Sequence, residues 1–307
     1  MTVAMREGAS MGRQMAVFAA AYGAVVLWGA TPIVTKLAVA EIDPLAVGLL
    51  RTLLAAVVAL PLIVLGRLKP PASREGRAYL AVSALGGFVI FPLLFSLGIA
   101  RTTAGHGALL LGVLPVLTGL IAALLERRAP GGRWWLGCAV ALAGTAVLVG
   151  ERFDLSPRNP SLSDGSSLGN LLVLGSAVAA AAGYVTGARA AREAGTWPVT
   201  LWGLVLGSIA LLPVLPFVLS PDNLAGAGAT AWTAVLYLAL ASSIVAYAAW
   251  YWALGRGGIG RTGLAQFTQP LVGLVLAVAL LGEALTWAMV VAAGAILAGV
   301  ALARGRA

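Results

Sequence analysis

The chain is 307 residues long, 60% hydrophobic and only 10% charged, whereas a water-soluble globule carries roughly 25% charged residues to hydrate its surface. This composition excludes a pair of soluble domains, intrinsic disorder and a fibrous repeat. One cysteine and one histidine exclude an internal disulfide and a Cys/His zinc cluster, and the net charge of +9 is divided among small basic groups rather than forming one stripe for nucleic acid.

Long apolar runs follow one another from the N-terminus to the C-terminus. A bilayer-crossing helix needs about 20 mostly apolar residues, and the runs predict ten such spans at 15–37, 44–65, 77–99, 103–125, 133–150, 168–190, 198–219, 230–254, 262–281 and 286–303. We therefore predict an all-α integral membrane protein with ten transmembrane helices, a short N-terminal segment (1–14) and a C-terminal tail (304–307).

The basic residues between the spans predict the orientation. Lys and Arg concentrate in the segments that lie inside if the N-terminus is cytoplasmic, whereas the outer loops hold only Arg101, Arg152 and Arg158. Both termini are therefore predicted to be cytoplasmic. The polar stretch 151–167 is predicted to be an external linker between two halves of five spans each.

The two halves, 15–150 and 168–303, can be aligned in sequence, with chance alignment of helices rich in Ala, Leu and Gly as the alternative to a true repeat. A shift of 155 residues places Pro115 on Pro270, Arg101 on Arg256 and Gly144 on Gly299. Because five is odd, the second half crosses the membrane in the opposite sense to the first. A 5+5 inverted repeat is a recurrent construction of secondary transporters, with the substrate site near the midplane.

The first span carries a recognisable motif. The stretch VLWGATPIVTKLA, with Trp28, Gly29 and Lys36, resembles the opening signature of the EamA family within the drug/metabolite transporter superfamily. Arg51 adds to the similarity. So does a proline followed by a glutamate near the helix end in each half: Pro115 with Glu126, and Pro270 with Glu283. The second half departs from the signature, since VAAAAGYVTGARAA lacks the Trp and has Arg189 in place of the Lys.

This resemblance implies a ten-helix exporter of amino acids or related metabolites in the bacterial inner membrane, most similar to the aromatic amino acid exporters. It implies an alternating-access carrier with no cofactor. The partners that we expect are amino acid substrates and the lipid bilayer, without nucleic acid, and the carrier is expected to be monomeric. Two other functions stay open: a carrier or flippase for lipid-linked or phosphorylated substrates, and, with less support, a membrane-embedded enzyme. The sequence has no HExxH motif and no paired-aspartate metal motif for such an enzyme.

Aromatic residues are the first candidates for binding substrate. Tyr247, Trp250, Tyr251 and Leu254 recur at helical spacing and form one face of the eighth span. The 155-residue shift places Phe91 and Phe95 on the related face of the first half, and Trp28 belongs to the first-span motif. Such a wall suits neutral or aromatic side chains; packing of the bundle or contact with lipid is the alternative.

Uncharged polar groups at membrane depth are the second set of candidates. Tyr184, Gln266 and Gln269 are expected to face the bundle interior, where they either bind the zwitterionic head of an amino acid or tie helices together. His106 is the sole histidine and lies near the outer start of the fourth span. Histidine readily exchanges a proton near neutral pH; a hydrogen bond at the helix end is the alternative role.

Charged residues are informative by their positions. All eleven carboxylates fall in loops or at helix ends, which favours facilitative transport over a proton relay through carboxylates and gives no metal site. Arg51 lies about seven residues inside the second span. We expect its side chain to snorkel outward to Glu41 or Asp43, with contact to a substrate carboxylate as the alternative. Lys36 is expected to be an interfacial anchor rather than a ligand.

Prolines within the spans are predicted to interrupt their helices. Pro32, Pro92, Pro115 and Pro270 lack the amide donor and crowd the preceding turn. Since Pro115 and Pro270 lie at matching depth in the two halves, they are the predicted gating elements.

Overall fold

The computed structural model describes residues 3–127, 131–151, 160–219, 224 and 226–303, and within these residues every regular element is helical. The helices of the first half are α1 (Val3–Gly29), α2 (Thr31–Val39), α3 (Pro44–Gly66), α4 (Arg74–Ser83), α5 (Phe91–Ala100), α6 (Ala104–Leu110), α7 (Leu114–Glu126) and α8 (Gly132–Glu151). Those of the second half are α9 (Pro160–Ala194), α10 (Thr196–Leu211), α11 (Leu215–Val218), α12 (Ala229–Tyr237), α13 (Ala246–Gly257), α14 (Ile259–Gly263), α15 (Gln269–Leu281) and α16 (Trp287–Ala303).

Helical segments long and apolar enough to cross a bilayer number seven in the described part of the chain. They are Gln14–Val39, Pro44–Gly66, Arg74–Ala100, Ala104–Glu126, Ser167–Ala194, Thr196–Val218 and Ala229–Gly257. Two shorter apolar helical segments follow, Ala265–Leu281 and Trp287–Ala303, and the predicted fifth span lies in α8. Helices satisfy every backbone polar group within the segment, as the hydrocarbon core requires. The protein is therefore a multi-pass, all-helical membrane protein.

The predicted N-terminal segment and the predicted linker are more helical than expected. The structure begins α1 at Val3, within the predicted N-terminal segment, and begins α9 at Pro160, so the second part of the predicted linker 151–167 is helix rather than loop. Residues 152–159 of that linker and the tail 304–307 lie outside the described residues.

Interruptions of the helices recur in the two halves at the same offset. A π-helical segment, Ala84–Ile90, precedes α5, and a second one, Leu238–Val245, precedes α13. A 3-10 segment precedes α7 at Leu111–Val113 and another precedes α15 at Leu264–Thr268. The helices that follow begin 155 residues apart. The two halves therefore share local backbone shape as well as sequence.

Each of the four predicted interrupting prolines is the second residue of a helix. Pro32 follows a turn at Ala30, Pro92 follows the first π segment, and Pro115 and Pro270 follow the 3-10 segments. A proline in the first turn of a helix loses no intrahelical hydrogen bond, so the distortion falls on the residues before it. The predicted interruptions are present, and the gating role of Pro115 and Pro270 stays a prediction.

The halves pack closely against each other. Helix α9 packs against α4 and α5, α3 packs against α10 and the second π segment, and α1 packs against α13. Glycines allow this approach: a Cβ added at Gly183 would lie 2.9 Å from the backbone nitrogen of Gly87, and one at Gly86 would lie 2.5 Å from the carbonyl oxygen of Ala179. Small residues at such contacts are the usual means by which membrane helices associate.

Polar contacts also join the halves at both predicted membrane faces. On the predicted outer side, the Glu283 carboxylate accepts hydrogen bonds from the backbone N–H groups of Ala104 and Gly105, both at 2.8 Å. On the predicted inner side, Arg189 pairs with Glu126 at 3.6 Å. Each contact connects two segments that are predicted to lie on the same side of the membrane. This is consistent with spans that cross the membrane in alternating directions.

Helices α8 and α16 form a pair at one edge of the bundle. A Cβ added at Gly299 would lie 2.5 Å from the carbonyl oxygen of Gly137, and one added at Gly144 would lie 2.6 Å from the Cβ of Ala295. The two backbones are therefore in direct contact, with no room for a side chain between them.

We expect Gly299→Leu to separate this helix pair and destabilise the protein by about 1–3 kcal/mol, because overpacking forces the backbones apart. The measurement is the thermal unfolding midpoint in detergent. Gly294→Leu is the matched control, since Gly294 lies on the same helix, is exposed and has nothing within 4 Å of an added Cβ. Equal midpoints for the two variants would contradict the close contact.

Candidate functional site

Aromatic side chains from both halves meet inside the bundle. The Trp28 ring, at the end of α1, stacks on Tyr184 of α9 with centroids 4.8 Å apart and an angle of 19° between the planes. It also makes edge contacts with Tyr247 at 5.1 Å and Trp250 at 5.6 Å, both on α13. All four side chains are buried. Trp28, Tyr184, Tyr247 and Trp250 are called the central aromatic cluster below.

Two further rings extend the central aromatic cluster. Tyr251 contacts Tyr247 at 5.7 Å, and Phe88 contacts Tyr247 at 4.5 Å. Sequence reasoning identified Tyr251 but missed Phe88. The signal was present, because Phe88 lies three and seven residues before Phe91 and Phe95 and so shares their helical face. The structure therefore brings together five predicted residues and one that was not predicted.

The tyrosine hydroxyls of this region have backbone or side-chain partners. The Tyr247 hydroxyl donates to the Gly87 carbonyl at 3.1 Å, and the Tyr251 hydroxyl is 2.8 Å from the Ser83 hydroxyl. In contrast, the Trp250 indole N–H is buried without a hydrogen-bond partner among the described residues. A buried indole N–H usually finds a partner, so the Trp250 N–H is available to a polar group of a ligand.

Arg51 is the most deeply buried cation of the described residues, with 1% of its surface exposed. Its Nε and Nη2 donate to the Ser243 hydroxyl at 3.3 and 3.2 Å, and its Nη2 also donates to the Ser242 hydroxyl at 3.1 Å. The guanidinium lies 5.5 Å from the centroid of the Phe91 ring. No described carboxylate pairs with Arg51, although a charge at membrane depth costs at least about 2.5–3.5 kcal/mol.

The expected outward snorkelling of Arg51 is wrong. Asp43 caps the N-terminus of α3 by accepting from the backbone of Leu45 and Ala46, and Glu41 accepts from the backbone N–H of Gly228. Both acids are therefore engaged by backbone donors at the helix ends. Arg51 instead turns inward to the serine pair of the second π segment.

Ser242 connects Arg51 to the central aromatic cluster. Its hydroxyl accepts from Arg51 and is 3.1 Å from the Thr31 hydroxyl, and its backbone carbonyl accepts from the Trp28 indole N–H at 2.9 Å. The Ser243 hydroxyl donates back to the Leu238 carbonyl at 2.8 Å. Neither serine was identified from the sequence, because a π segment is not visible in hydrophobic periodicity.

Phe91 and Phe95 belong to α5, in the same half of the chain as Arg51. Their rings stack with centroids 5.2 Å apart, and both are buried. Phe91 is the ring beneath the guanidinium. These two predicted residues therefore adjoin the central aromatic cluster through Arg51.

Gln266 and Gln269 are buried, as the sequence predicted. The Gln266 amide oxygen accepts from the Thr118 hydroxyl at 3.4 Å, whereas its amide nitrogen and the Gln269 amide oxygen have no partner among the described residues. The Gln269 backbone oxygen would lie 3.3 Å from a Cβ added at Gly29, next to Trp28. One spare donor and one spare acceptor therefore lie on the segment that packs against the end of α1.

His106 and Lys36 belong to the predicted outer end of the bundle. The Lys36 ammonium donates to the carbonyls of Ile99 and Thr102 at 3.0 and 2.6 Å, at the C-terminal end of α5, where a cation is favoured. Lys36 thus caps the C-terminal end of α5 at the predicted outer face, and its role as an interfacial anchor stays a prediction. His106 is wholly buried and is the third residue of α6, directly after the two amides that bind Glu283.

A cavity of about 580 Å³ opens at the predicted cytoplasmic end of the bundle. Its lining includes Trp197, Trp252, Arg192, Arg256 and Tyr251. The Arg256 guanidinium lies 4.6 Å from the centroid of the Trp252 ring. Because Tyr251 lines this cavity and also contacts Tyr247, the cavity lies next to the central aromatic cluster.

Comparison with known proteins decides the family. The model of the EamA-like transporter family matches residues 15–150 and 167–305. The chain belongs to this family. The resemblance that the first-span motif indicated is confirmed, and the protein is an EamA transporter rather than an enzyme.

Relatives of this EamA transporter cover nearly its whole length. It is 34% identical to an uncharacterized transporter, YdeK, of Bacillus subtilis, with 92% of this chain and 94% of YdeK covered. It is 30% identical to a probable amino-acid metabolite efflux pump of Salmonella typhimurium, with 90% of each chain covered. The corresponding probable pump of Escherichia coli is 28% identical over 85% of this chain and 86% of its own.

The fold of the EamA transporter also has a match among solved structures. A crystal structure that is 22% identical in sequence covers 95% of this chain and 98% of its own chain, with a TM-score of 0.67. At this identity the match shows the fold alone.

Proposed function

We propose that this EamA transporter exports amino acids, chiefly neutral and aromatic ones with broad specificity, across the bacterial inner membrane by alternating access. The observation that carries the proposal is the central aromatic cluster, because Trp28 of the first half meets Tyr184, Tyr247 and Trp250 of the second half there. Inverted-repeat carriers bind substrate where their halves meet. The names of the Salmonella typhimurium and Escherichia coli relatives support an amino acid substrate.

The proposed architecture is ten spans in a 5+5 inverted repeat, with 15–150 and 168–303 as the two units and both termini cytoplasmic. The matching π and 3-10 segments, which end 155 residues apart in the two halves, support two related units. Since the proposed site is built by both halves of one chain, we propose that a monomer suffices for transport.

The substrate is proposed to contact the rings of the central aromatic cluster with its side chain and the buried amides of Gln266 and Gln269 with its polar head. A phosphorylated or lipid-linked substrate would need several cations together at depth. Arg51 is the one buried Lys or Arg among the described residues, which favours a substrate with a single negative group.

The experiment that tests the proposed function is counterflow in proteoliposomes with a panel of labelled amino acids. Purified protein preloaded with unlabelled Phe is expected to accumulate labelled Phe transiently, and empty liposomes are the control. Neutral and aromatic amino acids should exchange, whereas nucleotide sugars and sugar phosphates should not. Exchange of sugar phosphates without exchange of any amino acid would favour the alternative carrier function.

The proposed orientation predicts a labelling pattern. In a Cys138→Ala background, Lys69→Cys should react with a membrane-impermeant maleimide only from the cytoplasmic side, and Ala284→Cys only from outside, because the basic residues concentrate inside. Both positions are exposed. Reaction of both variants from the same side, or the reverse pattern, would contradict the orientation.

Transport is proposed to be facilitative. Glu126 and Glu283, two carboxylates that join the halves, are at helix ends and are engaged by Arg189 and by backbone amides. An imposed pH gradient should therefore not drive uphill accumulation of Phe in proteoliposomes. Proton-driven accumulation that is lost in His106→Ala would show that transport is coupled to protons through His106.

A further inference from the structure

Arg51 has hydrogen-bonding capacity that the protein does not use. A guanidinium offers five N–H donors, and the hydrogen bonds to Ser242 and Ser243 engage only Nε and Nη2. The Nη1 nitrogen is buried without a hydrogen-bond partner among the described residues. An edge of the guanidinium is therefore available to a ligand.

The surroundings of Arg51 hold the guanidinium in place without neutralising it. The two serines are neutral acceptors, and their hydroxyls are themselves fixed by the Thr31 hydroxyl and the Leu238 carbonyl. The Phe91 ring lies against the guanidinium. Tyr184 and Tyr247 interact electrostatically with Arg51, and a phenol is neutral at physiological pH. A buried cation without a counter-ion suits a ligand that supplies the negative charge.

Arg51 lies close to the proposed ring site. Ser242 accepts from Arg51 through its hydroxyl and from the Trp28 indole N–H through its carbonyl, so one residue separates the cation from the central aromatic cluster. In an aromatic amino acid, the carboxylate is only a few bonds from the ring. A single molecule can therefore contact the cluster and Arg51 together.

We propose that the free edge of Arg51, held by Ser242 and Ser243, binds the carboxylate of the transported substrate. This inference rests on the proposed amino acid transport and specifies its substrate class: a singly charged organic acid with an apolar or aromatic group. The two N–H groups of Nη1 can donate charge-assisted hydrogen bonds to a carboxylate. A second cation that would favour phosphate is absent from the described contacts of Arg51.

The test compares three ligands that differ only in their polar groups. Phenylalanine has a carboxylate and an ammonium, phenylalaninamide lacks the carboxylate, and 3-phenylpropionate lacks the ammonium. Binding to purified wild-type protein is measured by quenching of tryptophan fluorescence, with counterflow as a second readout. Phenylalaninamide should bind wild type at least about 10-fold more weakly than phenylalanine, because it leaves the buried guanidinium unpaired.

Arg51→Gln should remove this discrimination. Binding of phenylalanine and 3-phenylpropionate should weaken about 10-fold or more, whereas binding of phenylalaninamide should change little, and Arg51→Lys should restore part of the difference. Arg101→Gln is the control, since Arg101 is an exposed cation that caps its own helix through the Leu97 carbonyl. Ser243→Ala removes one of the groups that hold the guanidinium, so it should weaken the discrimination against phenylalaninamide to a smaller extent. This variant replaces Arg51→Gln in the test if Arg51→Gln does not fold.

Failure of this inference can be distinguished from failure of the proposed function. If wild type exchanges phenylalanine but does not discriminate against phenylalaninamide, or if Arg51→Gln weakens all three ligands equally, the carboxylate site is wrong and amino acid transport stands. If wild type exchanges no amino acid but binds 3-phenylpropionate through Arg51, the carboxylate site stands and the proposed substrate is wrong. Binding of neither acid to wild type overturns the carboxylate site.

Discussion

Replacing Trp250 with alanine is expected to weaken phenylalanine binding roughly 10- to 100-fold, and threonine binding much less. Trp250 is fully buried and contacts the rings of Trp28 and Tyr184. Loss of its ring removes apolar area and aromatic contact worth on the order of 1–3 kcal/mol to an aromatic substrate. Threonine has no aromatic ring to contact Trp250, so its binding should depend less on this side chain. The measurement is the concentration of each amino acid that gives half-maximal counterflow.

The variant Trp250→Phe distinguishes the contribution of the aromatic ring to binding from that of the indole N–H group. The phenylalanine ring keeps most of the apolar contact, but it has no N–H group like the unpartnered indole N–H of Trp250. We expect it to retain phenylalanine affinity to within a few fold, as a conservative change in a buried site does. Trp135→Ala is the matched control, because Trp135 is 48% exposed on α8. Equal, small effects of Trp250→Ala on every substrate would indicate packing instead of binding.

Joint replacement of Pro115 and Pro270 by alanine is expected to slow exchange about 10-fold while leaving substrate affinity within a few fold. Each proline is the second residue of its helix and follows a 3-10 segment. Alanine restores the missing amide donor, which allows the 3-10 segment to continue as regular α-helix and stiffens the interruption. If the two halves rock about these points, the stiffened carrier turns over more slowly.

Pro61→Ala provides the control for the proline variants. Pro61 lies inside α3, is exposed, and has no 3-10 segment beside it. Its replacement should leave turnover unchanged. Unaltered exchange in both single variants and in Pro115→Ala/Pro270→Ala would remove the gating role of the two prolines, and equal losses of binding and turnover would indicate that they shape the site instead.

Hydrophobic patterning predicted the helical membrane class correctly because the bilayer imposes a simple rule on the sequence, whereas the count of ten spans stays a prediction. Each span must be a continuous apolar helix, so its position is visible in the composition alone. Hydrophobicity does not reveal where a helix is interrupted, because the π segments at Ala84–Ile90 and Leu238–Val245 are as apolar as the helices around them. Their positions depend on contacts between the halves, which the sequence does not show.

The candidate site was predictable on its aromatic side and less so on its polar side. Helical spacing placed Tyr247, Trp250 and Tyr251 on one face, and the structure brings that face to Trp28 and Tyr184. The direction of Arg51 was predicted wrongly because two acids stood nearby in sequence. Backbone amides at the helix ends engage both acids, and the serine pair that holds Arg51 lies more than 190 residues away in the chain.

Photo-crosslinking with a diazirine derivative of phenylalanine tests most directly whether the interior of the bundle is the substrate site. In membranes containing the full chain, the label should be found on peptides that carry Trp28, Tyr184 or the Tyr247–Trp250 face, and excess unlabelled phenylalanine should displace it. Label confined to the cavity of Trp197 and Trp252 at the bundle end, or label that phenylalanine does not displace, would contradict a substrate site between the two halves.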